Sequence, residues 1–229
     1  MGNNPYPELS DAEIEELAIN YYSDYLRHNQ ADPVPLNLPV PVEEIAEQFL
    51  GYEIDWSETG KFSDPDILGG IYFESNKICV NASVADHEGR YSFTVAHELG
   101  HHVLHREHYL QRQSTDDGDF PCRVTGKKPQ IEIEADRFAA ALLMPADNVS
   151  MAVAGKATKI RTVGQARALA NDLITKSGFE NVSNSAMINR LKDLGLLAPG
   201  IPYQGAKARK TYGPPSTLMF LKRLISKYR

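Results

Sequence analysis

One run of the chain, FTVAHELGHHVLH at positions 93–105, constrains the protein more than any other. It places four histidines, His97, His101, His102 and His105, and one glutamate, Glu98, within nine positions. The surrounding apolar spacing predicts a helix over roughly 88–108. On such a helix His97 and His101 are separated by about 6 Å of rise and about 40° of rotation, so both imidazoles leave one face. Two neutral imidazoles so placed can hold one Zn²⁺ at about 2.0–2.1 Å each. Glu98 follows the first of them and lies beside such an ion without coordinating it. It is the candidate catalytic base, the residue that accepts a proton from water and delivers it to a leaving amine. This is the HExxH pattern of zinc hydrolases.

Two histidines leave an ion under-held, so a third protein ligand is needed. His105 shares their face, but it stands eight residues from His97, about 12 Å along a straight helix. Another solution places a histidine six residues after the second ligand, and here that position is Glu107. The third ligand must therefore come from another helix. The spacing predicts one over 131–144, IEIEADRFAAALLM, stopped by Pro145. Glu132 and Asp136 are one turn apart and share a face. Glu134 is rotated about 200° from Glu132. Glu132 is the preferred ligand, with Glu134 the alternative. Asp136 is expected to accept the free N–H of a ligating histidine, which fixes its tautomer. Ala135, Ala139 and Ala140 are small enough for two helices to approach closely. His102 reads as a packing or solvated residue, His105 as a hydrogen-bonder on the helix face, and His108 as a surface residue.

The rest of the chain supplies the frame. Ser10 and Glu13 form a capping-box signature ahead of a helix running to about residue 27. Pro33, Pro35, Pro39 and Pro41 make an extended connector. A short helix ends at Gly51. The segments 68–74 and 77–81 read as a hairpin around Ser75-Asn76. A polar stretch over 111–130 reads as a long loop able to gate a cleft. Residues 182–197 look like half of a helix-turn-helix, and 198–215 are basic and loop-like ahead of a closing helix. The expected organisation is a helix and connector over 1–40, a core over 41–155 and a helical subdomain over 156–229.

At this point FTVAHELGHHVLH and EIEADRFAAALLMP (132–145) together resemble the ImmA/IrrE family of HExxH metallopeptidases. The hairpin ending KICVN and the segment VSNSAMINRLKDLGLL are also similar to the family pattern, so the likeness spans roughly 40–197. It implies an α+β minimal-zincin, gluzincin-like core: a small sheet beside the active-site helix and a mostly helical C-terminal part. It implies His97, His101 and Glu132 as ligands of one Zn²⁺ per chain and Glu98 as the catalytic base. It also implies a regulatory protein as substrate, such as a helix-turn-helix repressor. Many members carry or accompany a repressor-like DNA-binding domain, and residues 1–40 are too short for one.

Composition narrows the remaining classes. The net charge is −6 and the two cysteines, Cys79 and Cys122, show no zinc-knuckle spacing. An acidic chain is not expected to bind nucleic acid or anionic membranes generally. Arg190 and Lys192 beside Asp193 make a thin footprint for DNA phosphates. No signal peptide or membrane-crossing run is visible, so a cytoplasmic location is expected. The competing reading is a non-catalytic zinc-containing module that sequesters a transcriptional regulator. A structural site, however, has no use for Glu98 and normally closes with a fourth protein ligand.

Overall fold

The computed structural model describes residues 8–33, 36–57, 67–84, 86–113, 130–154, 156 and 160–204, without the side chains of 108–113. The first helix, α1 (Asp11–His28), begins at Ser10, whose hydroxyl accepts from Glu13 N–H while the Glu13 carboxylate accepts from Ser10 N–H. Its apolar stripe, Ile14, Ala18, Tyr22 and Tyr25, is buried, and the helix lies along α4 (Gln130–Leu143). The connector leads into α2 (Val42–Glu44), which widens into a π turn over Ile45–Phe49. Gly51, at φ +75°, ends it in a conformation few other residues tolerate.

Three strands follow: β1 (Glu53–Ser57), β2 (Gly69–Tyr72) and β3 (Lys77–Asn81). Their order is β1-β3-β2, with β1 parallel and β2 antiparallel to β3. The hairpin expected from the sequence is present, but β2 stops at Tyr72 and the turn spans 73–76. Asn76 closes it at φ +48°, which asparagine accepts more readily than most side chains. The centre of β3, Ile78, Cys79 and Val80, is fully buried. That explains a continuous apolar run instead of an alternating one, because a central strand covered on both faces has no side to leave polar.

A 3₁₀ turn at Ala82–Val84 delivers the chain to α3 (Glu88–Gln113), the histidine helix. It runs past residue 108, so 111–113 are helical where a loop was expected. The remainder of that expected loop lies outside the described residues, as do Cys122, the basic stretch from 205 and the expected closing helix. Pro145, lacking an N–H, ends α4 and opens α5 (Ala146–Val153). Glu15 of α1 caps this junction. Its Oε1 accepts the Ala146 N–H at 2.9 Å, and Arg190 bonds both Glu15 oxygens and the Met144 carbonyl.

Thr162 and Gln165 form a second capping box for α6 (Val163–Lys176), and Ser183 caps α7 (Asn184–Asp193). The α3 start abuts that cap. A Cβ on Gly89 would stand 2.4 Å from Ser183 N, so only glycine fits. One buried apolar cluster joins α1, the sheet, α3, α4 and the C-terminal helices. The described residues are thus a mostly helical α+β arrangement of seven helices and a three-stranded sheet. None of the described helices is long and apolar enough to cross a membrane.

Candidate metal centre

The site lies where α3 crosses α4. A Cβ on Gly100 would come within 3.1 Å of Ala135 Cα and 3.2 Å of the Ala135 carbonyl oxygen. The glycine of HELGHH therefore lets the two helices touch backbone to backbone, with Ala135 as the small opposing residue.

This contact brings together the residues selected on the sequence. His97 Nε2 and His101 Nε2 are 3.1 Å apart. Glu132 Oε2 is 3.3 Å from the first, and Oε1 is 3.2 Å from the second. Donors held 2.0–2.1 Å from a tetrahedral ion stand about 3.3 Å from one another. The three side chains thus stand near the spacing such an ion asks for, and they form a group able to hold a metal. The Nδ1 atoms face outward. His97 Nδ1 is 2.9 Å from Asp136 Oδ1, the partnership expected from the one-turn spacing of Glu132 and Asp136. Glu134, the alternative ligand, is turned elsewhere: its Oε2 lies 3.0 Å from His105 Nε2.

Burial holds the His101 imidazole below its ordinary pKa, against the opposing pull of its bond to Glu132. That favours the neutral form, the one able to ligate. Glu98 is 2% exposed. Burial drives its carboxyl up to about 7; the His97 charge acts against this, Glu132 adds to it, and a backbone hydrogen bond from Ile71 of β2 moderates it. Glu98 Oε2 has no hydrogen-bond partner among the described residues. One oxygen is thus tied to the edge strand's backbone and the other is left for a ligand. Gly69, also in β2, makes room: a Cβ there would lie 2.5 Å from Thr94 Cγ2 and 3.0 Å from Glu98 Oε1.

His102 and His105 have partners of their own. His102 turns to the sheet, its Nδ1 2.9 Å from Tyr52 Oη, and burial with Arg106 lowers its pKa to about 4. His105 is buried behind His101, with their Nδ1 atoms 3.1 Å apart. His108 lies among the side chains not described. Tyr91, a tyrosine near the helix start, is buried and stacked on Trp56 at 4.5 Å. The cations considered for DNA are engaged internally: Arg190 as above, and Lys192 with the Ile201 carbonyl and, at 4.3 Å, the Tyr203 ring.

Sequence reasoning missed three contributors: the His105–Glu134 pair, Gly69 and the Ile71 N–H. The i,i+4 spacing of His101 and His105 was a usable signal for the first. Nothing local marks the other two, because they act across a strand–helix contact.

A pair of crossed helices converging two imidazoles and a carboxylate beside a buried carboxylate, in an α+β frame, is the kind of centre found in metal-dependent hydrolases. Residues 57–171 match the peptidase family described as the IrrE N-terminal-like domain, Peptidase_M78, and the chain belongs to that family. Among curated proteins none matches the sequence.

Proposed function

We propose that the protein is a zinc-dependent endopeptidase with a gluzincin-like site. His97, His101 and Glu132 would hold one Zn²⁺, and Glu98 would act as the proton-transfer base. The observation that carries this reading is the convergence of three donor side chains, with facing atoms 3.1–3.3 Å apart, beside a buried carboxylate with one oxygen unpartnered among the described residues. When bound, zinc supplies Lewis acidity, polarising a carbonyl and making water acidic enough to attack near neutral pH.

The chain's own residues do the rest. Asp136 orients His97 by accepting its Nδ1–H. Glu98 takes the proton of the attacking water at Oε2 and passes it to the departing amine nitrogen, so the peptide C–N bond breaks as the amine gains its hydrogen. Strand β2 supports the reading, since it lies at the edge of the described sheet, where an extended substrate can pair along a strand. A regulatory protein, such as a helix-turn-helix repressor, is the substrate class proposed from the family resemblance. An intracellular, cytoplasmic setting and the three-part organisation around residues 40 and 155 belong to the same proposal.

The test compares the parent with Glu98→Gln, Glu132→Ala and Glu134→Ala, measuring zinc per chain and cleavage of a mixed peptide library by mass spectrometry. The expected result is zinc retained and cleavage lost in Glu98→Gln, with zinc lost in Glu132→Ala. Persistent turnover in Glu98→Gln would remove its assigned role. Zinc binding without any cleavage by the parent would favour the sequestering module.

A further inference from the structure

Behind His101 runs a chain of buried polar groups that the proposed chemistry does not use. His101 Nδ1 lies 3.1 Å from His105 Nδ1, and His105 Nε2 lies 3.0 Å from Glu134 Oε2. Glu134 Oε1 in turn accepts the Leu9 N–H at 3.1 Å and the Gln130 side-chain N–H at 3.0 Å. His105 and Glu134 are each 4% exposed, so no solvent can substitute for a missing partner.

Hydrogen-bond complementarity leaves one proton arrangement for this chain once His101 Nε2 is a ligand. A neutral imidazole ligating through Nε2 carries its proton on Nδ1. His101 Nδ1–H must then donate to His105 Nδ1, which must be bare. The His105 proton therefore sits on Nε2 and donates to Glu134, which must be an ionised acceptor. Glu134 fits that role. Its Oε1 already accepts from Leu9 and Gln130 and its Oε2 faces His105 Nε2, so three N–H donors surround the carboxylate and none of these bonds needs a proton of its own.

We propose that His105 and Glu134 are positioning residues that lock His101 in the Nδ1–H tautomer with Nε2 toward the metal, anchoring the site to the backbone ahead of α1. This rests on the zinc reading above. The role of Glu134 is thereby the opposite of a competing ligand: it acts on the ion only through two imidazoles.

Glu134→Gln tests it with almost no change of shape. A glutamine has one acceptor oxygen where the carboxylate has two. If that oxygen keeps Leu9 and Gln130, its NH₂ faces His105 Nε2. His105 must then carry its proton on Nδ1, which opposes Nδ1–H on His101 and favours the tautomer that cannot ligate.

The experiment measures zinc affinity by chelator competition and imidazole ¹⁵N shifts of the metal-free protein. It covers the parent, Glu134→Gln, His105→Leu and Leu173→Ala, the last a buried core change in α6. Glu134→Gln and His105→Leu are expected to weaken zinc binding about 10- to 100-fold. The His101 ¹⁵N shifts should move toward the Nε2–H form in Glu134→Gln. Leu173→Ala should leave both readouts unchanged. Parent-like zinc affinity and His101 shifts in Glu134→Gln would overturn the relay while leaving the metal site standing. Equal weakening in Leu173→Ala would overturn it as mere loss of stability. A parent that binds no zinc would overturn the metal reading and the relay with it.

Discussion

Gly69 and Glu98 meet where a single methyl group would part them. The position tolerates no side chain because Thr94 and the Glu98 carboxylate already fill the space. Gly69→Ala should therefore push Glu98 off the Ile71 N–H while leaving His97, His101 and Glu132 on their own helices. The expected outcome is a peptidase rate lowered about 100-fold, the scale of a displacement near 1 Å at a reacting group, with zinc content unchanged. Rates and metal analysis on the same preparation check this. An unchanged rate would show that the β2 contact does not set the Glu98 position. At this scale the sequence was partly informative. His97, His101 and Glu98 stood out because their relative placement follows from their spacing on one helix. Gly69 did not, since its constraint comes from Thr94, twenty-five positions away in the chain.

Two contacts between elements decide whether the site assembles. The first is the α3–α4 crossing at Gly100 and Ala135. Gly100→Val would drive a branched side chain into the Ala135 backbone, which cannot yield as a flexible side chain can. Overpacking of this kind costs about 1–3 kcal/mol, and it should also weaken zinc binding by moving Glu132 and Asp136 together. Urea unfolding and chelator competition read the two effects, and retained affinity would place the crossing outside the site's control. The second contact is Arg190 with Glu15 and the Met144 carbonyl, where α7, α1 and the α4–α5 break meet. Arg190→Met keeps the side chain's apolar stem but leaves the Glu15 carboxylate without its charge partner, bonded only to Ala146 N–H, and takes the Arg190 bond from the Met144 carbonyl. A loss of about 2–4 kcal/mol is expected, below the top of the range for a broken buried pair because Glu15 keeps some contact with solvent. Zinc affinity should stay at the parent value, and a large loss would mean that this joint also shapes the metal centre. On the sequence Arg190 read only as a cation; its partners lie 46 and 175 positions away.

Across the whole molecule, metal binding at this group is expected to couple to folding. Three donor groups held within 3.1–3.3 Å of one another, two of them on one helix and one on its neighbour, clamp α3 to α4 when an ion joins them. An ion that binds only the folded state stabilises it by about 4 kcal/mol at a thousandfold excess over Kd. Chelation should lower the thermal midpoint and zinc should restore it. The same treatment of Glu132→Ala should produce no shift. A parent midpoint indifferent to chelator would argue against a metal clamp.

The division between sequence and tertiary structure follows from helix geometry. Within one helix the rotation per residue is fixed. The chain by itself therefore determined that His97 and His101 share a face, that Glu98 stands beside them, and that Glu132 and Asp136 share another face with Glu134 turned away. Capping residues and prolines likewise announced some element boundaries, as at Ser10 and Pro145. How far each helix turns about its own axis against a neighbour is not a local quantity. It is set by which side chains can interlock at the crossing, here glycine against alanine. Only the tertiary structure could turn Glu132 toward both imidazoles, send Glu134 to His105, and bring the β2 backbone against Glu98.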